Sequence, residues 1–130
     1  MRMLSQREEK EEVEVTWEDQ QRINSFSKLN ARHRMIEDKL DELKQEKEAV
    51  DDLSMELELA DEDQPVLYRV GEAFVHMPHS RAMKRLERDA EDINKEISKL
   101  SDNAEVCQTS MKELKVLLYA KFGSAINLDE

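Results

Sequence analysis

Apolar residues recur along this chain at two different periods, and the change between them marks out the elements. From Phe26 a seam runs through Leu29, His33, Ile36, Leu40, Leu43, Lys47 and Val50 in alternating steps of three and four. That is heptad spacing, which lays one narrow stripe along a helix for a partner helix to cover. His33 and Lys47 are its polar interruptions; at Lys47 the alkyl stem can cover the seam while the ammonium stays in water. Leu53 and Leu57 extend the stripe after a skipped step, which predicts a phase shift near Val50. The second seam is cleaner: Met83, Leu86, Ala90, Ile93, Ile97, Leu100, Ala104, Cys107, Met111, Leu114 and Leu118 alternate strictly, and none is charged.

Local signals bound the two helices. Thr16 reads as an N-cap, with Asp19 three residues on as its reciprocal partner and Glu18 beside it at the positive end of the dipole. Asp61, Glu62 and Asp63 end the first helix as a solvated, self-repelling cluster. Ser80 is the predicted N-cap of the second helix. Gly123 stands where a left-handed C-cap belongs, with Lys121 in the last turn facing the negative end of the dipole.

Between Pro65 and Pro78 the period falls to two. Gly71-Glu72 suits a two-residue turn of the primed type, which needs a positive φ that glycine supplies. The turn pairs Val70 with Ala73, Tyr68 with Val75 and Val66 with Met77 on one face, leaving Leu67, Arg69, Phe74 and His76 on the other. A lone ribbon of two strands is marginal in water, so this hairpin predicts partners from other chains; the alternative is that it folds back on its own helices.

The predicted fold is mainly α: a long antiparallel two-helix coiled coil linked by one β-hairpin. Each helix spans about 40 residues, or about 60 Å. Matching the heptads sets Leu57 opposite Met83, Val50 opposite Ala90, Leu43 opposite Ile97, Leu40 opposite Leu100, Ile36 opposite Ala104 and Phe26 opposite Leu114. The organisation is then a mobile segment over 1–14, a coiled-coil hairpin over 15–122 with the β-hairpin at 65–78, and a tail over 123–130.

Composition narrows the chemistry. With 39% charged residues, 5% aromatic residues and two glycines, the chain suits long helices better than a globular core. A formal charge of -11 disfavours sequence-independent nucleic-acid binding and anionic membranes, both of which need lysine and arginine. The single cysteine, Cys107, excludes an intrachain disulfide and suits a reducing compartment, the cytosol or the nucleus. His76 and His79 lack the further ligands of a metal site. Gly71 and Gly123 are both committed to turns, so no glycine-rich loop is left to cradle a phosphate, and carboxylates on solvated faces do no acid–base work. No catalytic residue, cofactor or metal is predicted.

In the antiparallel arrangement the two chain ends meet away from the hairpin. Val13, Val15, Trp17 and Ile23 enter there, and Leu117, Tyr119, Phe122, Ile126 and Leu128 leave. Apolar side chains at a charged, frayed end fit either a contact surface for another protein or a simple cap on the coiled coil. Off the seam, Met35 and Met55 are adaptable contacts or ordinary surface residues.

Three stretches together resemble the prefoldin family, and in particular its β-type subunits: Val15–Asn24 (VTWEDQQRIN), Leu118–Leu128 (LYAKFGSAINL), and Asp61–Asp63 with Tyr68–Phe74 (YRVGEAF). The resemblance runs over nearly all of the chain from Val13 onward. It implies a subunit of a hexameric, ATP-independent co-chaperone whose hairpins form an intersubunit β-barrel and whose coiled-coil tips capture unfolded proteins. The implied partners are the other α- and β-type subunits, unfolded actin and tubulin, and the cytosolic group II chaperonin. On this chain the resemblance assigns client capture to Val15, Trp17, Ile23, Phe26, Tyr119, Phe122, Ile126 and Leu128. It assigns assembly to Val66, Leu67, Tyr68, Val70, Ala73, Phe74, Val75 and Met77. The rival reading is a coiled-coil scaffold or tether that oligomerises through its hairpin without chaperone activity.

Overall fold

The computed structural model describes residues 2–3 and 14–128. In chain order these form β1 (Arg2–Met3), α1 (Trp17–Leu59), β2 (Val66–Val70), β3 (Ala73–Met77), α2 (His79–Phe122), a 3-10 turn (Gly123–Ala125) and β4 (Ile126–Asn127). Most of the segment expected to be mobile, 4–13, lies outside the described residues.

The helix starts are chemically explicit. Thr16 N–H donates to Asp19 Oδ2 and Asp19 N–H donates to Thr16 Oγ1, each at 3.1 Å, so the reciprocal cap forms as read. At the far end of α1, Ala60 N–H donates to the Leu57 carbonyl, and Asp61 Oδ1 accepts from Asp63 N–H at 2.9 Å. Asp61 therefore turns the chain with its side chain as well as ending the helix by repulsion. The start of α2 needs a correction. Its first intrahelical bond runs from Ala82 N–H to the Pro78 carbonyl, so Pro78 occupies the cap and Ser80 already sits in the first turn.

The second seam is buried or half-buried at every one of its members. In the first seam Phe26, Leu40, Leu43 and Leu57 are buried, Leu29, His33, Ile36 and Val50 half-buried, and Lys47 exposed. The predicted phase shift does not occur. Leu53 is 48% exposed while Ser54 is half-buried, so the seam continues from Val50 through Ser54 to Leu57 in unbroken heptad steps.

Two compact units each carry a core. The first comprises Met1–Asp38 and Asp102–Glu130. Its core is Ile23, Phe26, Leu118, Phe122, Ile126 and Leu128, with Met111, Leu114, Tyr119 and Ala125 packed against it. In the same unit β1 pairs antiparallel with β4, Arg2 opposite Asn127 and Met3 opposite Ile126. The second comprises Lys39–Ser101, with a core of Leu57, Met77, Ala82 and Leu86 and with Val50, Val66, Tyr68 and Met83 against it. Phe26 and Leu114 share the first core, and Leu57 and Met83 the second, as the heptad matching predicts.

The hairpin has the predicted register: Val66↔Met77, Leu67↔His76, Tyr68↔Val75, Arg69↔Phe74 and Val70↔Ala73. Gly71 at the turn has φ 62, and Gly123 at the end of α2 has φ 55, the left-handed region both were expected to supply.

Candidate functional site

The hairpin is divided in what it offers. Val66 and Tyr68 are half-buried and Met77 is buried against their own helices, which corrects the expectation that the whole ribbon face waits for other chains. Tyr68 is fixed further by its hydroxyl, which donates to Asp89 Oδ2 at 2.7 Å; Arg85 Nε lies 3.6 Å from Asp89 Oδ1. Burial of the phenol, reinforced by that carboxylate, pushes the Tyr68 pKa up to about 12.

The rest of the ribbon is open. Leu67 is 55% and Phe74 63% exposed, and Val70, Ala73 and Val75 are exposed as well. With a two-residue turn, hydrogen bonding joins Val70 to Ala73, Tyr68 to Val75 and Val66 to Met77. The main-chain groups of Leu67, Arg69, Phe74 and His76 therefore point outward, and neither edge has a neighbouring strand among the described residues. Beside β2, Val50, Leu53, Leu57, Leu67, Tyr68 and Phe74 line part of an open groove of about 800 Å³.

At the chain ends the residues assigned to client capture are placed unequally. Trp17 is 76% exposed and Val15 is exposed, whereas Tyr119 is half-buried. Ile23, Phe26, Phe122, Ile126 and Leu128 are all buried in the first unit's core, so this end is packed rather than frayed. Asp19 is buried there too, bonded to the Lys121 ammonium and with its other oxygen 3.2 Å from Arg22 Nη1. The Lys121 bond holds the Asp19 pKa down to about 2, against desolvation, which works in the opposite direction, and with help from Thr16.

Three side chains carry more than their sequence positions suggested. Asp19 and Lys121 were each readable as local caps, yet they join the start of α1 to the end of α2. Their pairing lies one heptad out from Phe26 and Leu114, a signal that the register already contained. His79 is the third. It is buried, and its Nε2–H donates at 2.6 Å to the Leu57 carbonyl, which also accepts from Ala60 N–H, so the first residue of α2 ties down the last turn of α1. No described helix is long and apolar enough to cross a membrane.

Comparison with known proteins agrees with this geometry. A family model described as prefoldin subunit matches residues 20–125. Prefoldin subunit 4 of Saccharomyces cerevisiae is 46% identical over 117 residues, covering 90% of this chain and 91% of that protein. Prefoldin subunit 4 of Homo sapiens is 34% identical over 120 residues, covering 92% and 90% respectively. Among solved structures, the prefoldin beta subunit from Thermococcus strain KS-1 superposes with a TM-score of 0.74 at 15% identity, over 84% of this chain and 96% of that one.

Proposed function

The chain belongs to the prefoldin subunit family, a family of co-chaperones rather than enzymes whose members have other prefoldin subunits as partners, and from that premise we propose how it works. It is a β-type subunit of a hexamer that holds non-native proteins without ATP, actin and tubulin among them, and passes them to the group II chaperonin of the cytosol. Its hairpin joins an intersubunit β-barrel. The observation that carries the reading is the divided hairpin: Val66, Tyr68 and Met77 are anchored on its own helices, while Leu67, Phe74 and Val75 are exposed and neither strand edge has a neighbouring strand among the described residues. A chain that anchors an apolar ribbon and leaves its edges open is built to be completed by neighbours.

Client holding is the second half of the reading. Several subunits, each offering a modest apolar end, hold a client by many weak contacts, so avidity replaces a deep site. Exposed Trp17 and Val15 support it. Burial of Ile23, Phe26, Phe122, Ile126 and Leu128 favours the rival, a scaffold that oligomerises without holding clients. Suppression of aggregation of denatured actin by the assembled hexamer separates the two. Trp17→Ser together with Val15→Ser should reduce protection while leaving the hexamer intact. Unchanged protection would favour the scaffold.

A further inference from the structure

The end of the chain is itself seated like a bound peptide. Beyond Gly123 and the 3-10 turn, Ile126 is extended, with φ -137 and ψ 143. Burial then alternates: Ile126 is 3% exposed, Asn127 is exposed, and Leu128 is 3% exposed. An extended chain sends successive side chains to opposite faces, so Ile126 and Leu128 point together into the core they share with Ile23, Phe26, Leu118 and Phe122. The main chain is recognised as well. Leu128 N–H donates to Tyr119 Oη at 3.2 Å, and β1 pairs with the same strand.

Two buried side chains two residues apart, one main-chain hydrogen bond and one strand pairing form the pattern by which proteins bind extended segments of other chains. None of these contacts requires the occupant to be covalently attached. We propose that this end of the helix pair is a binding site for extended apolar-x-apolar segments, that residues 126–128 occupy it in cis, and that non-native clients bind by displacing this tail. The identity of the displacing partner rests on the co-chaperone reading; the site does not. The segment leaves α2 at Gly123, whose left-handed φ of 55 is one that glycine adopts without strain. A tethered tail competes at an effective concentration in the millimolar range, so isolated apolar segments are turned away while a client presenting several at once prevails. This accounts for a client surface assigned to residues that the structure buries.

The test uses the full chain assembled with its partner subunits. Ile126→Ser with Leu128→Ser releases the tail, and the probe is a fluorescein-labelled peptide of the sequence Ser124–Glu130. By anisotropy the peptide should bind the released variant at least about ten-fold more tightly than the unmodified chain, whose site is competent only when its own tail is away. Tyr119→Phe in that background should weaken binding between about two- and ten-fold by removing one hydrogen bond. A peptide with serine at both apolar positions should not bind. Absence of peptide binding to a folded, assembled variant overturns the site, as does equal binding to both proteins. In the unmodified chain, millimolar unlabelled peptide should shift the Leu128 amide resonance, and an unmoved resonance counts against displacement even if the variant fails to fold. Peptide binding with no gain in protection of denatured actin leaves the site standing and overturns its use by clients.

Discussion

Asp19 is where three demands meet in one side chain. It closes the cap of α1 with Thr16, takes the Lys121 ammonium, and sits out of solvent while doing both. Its cap was legible because capping is local chemistry, decided within one turn. Its partner takes a second inference, because Lys121 is 102 positions away and only the heptad register of the two helices, carried one step out from Phe26 and Leu114, brings it near. The electrostatic consequence has a definite sign. Asp19 titrates at about 2 in the folded chain against an ordinary 3.8, so the unfolded state takes up its proton first on acidification. The stability this group contributes is complete above pH 3.8 and is lost as the pH falls through about 2. Melting temperatures by circular dichroism should therefore fall more steeply between those values in the unmodified chain than in Asp19→Asn, which has no carboxyl to protonate. Parallel curves would remove Asp19 as a source of acid sensitivity.

For whole elements, what decided legibility was whether register and hydrophobicity agreed. Along α2 they coincide at each seam position, and the seam could be read directly. Along α1 they part after Val50, where the heptad position is Ser54 and the more hydrophobic residue is its neighbour Leu53. The structure follows register: Val50, Ser54 and Leu57 keep the heptad, so the helix faces its partner without the local unwinding that a shifted seam would need. Ser54→Leu should then strengthen the coiled coil by about 1 kcal/mol, below the full burial value of a leucine because the position is only half-buried. Thermal melts of the isolated chain would reveal it. A neutral outcome, with Leu53→Ser clearly destabilising, would restore the phase shift. The α2 start was misplaced for a related reason: Ser80 has the better capping side chain, but Pro78 has the fixed φ and the free carbonyl where the strand ends.

For the molecule as a unit of assembly, the role proposed for the divided hairpin predicts that folding and association can be separated by mutation. Leu67→Asp with Phe74→Asp places charges on the outward side, so helix content and melting temperature of the isolated chain should hold while entry into the complex is lost. Tyr68→Asp should act differently. It removes the donor to Asp89, sets a second carboxylate beside the first, and should cost the chain itself about 2 kcal/mol or more. Native mass spectrometry with the partner subunits, read beside the melting curves, distinguishes the two kinds of loss. Retention of the Leu67 and Phe74 variant in an intact complex would place assembly elsewhere on the chain. With a formal charge of -11, the surface outside the hairpin favours remaining in solution over self-association.

Periodicity alone determined the two helices, the hairpin, its register and the pairing of Phe26 with Leu114 and of Leu57 with Met83, because each depends on spacing within one element or on matching two spacings. The motifs at the ends and centre pointed to the prefoldin family by the same local means. Only the tertiary structure decided which apolar side chains remain free. It turned Tyr68 inward onto Asp89, closed Ile126 and Leu128 into the core, joined Lys121 to Asp19 and set His79 on the Leu57 carbonyl. Burial depends on what arrives from elsewhere in the chain, and a linear pattern carries no measure of that arrival.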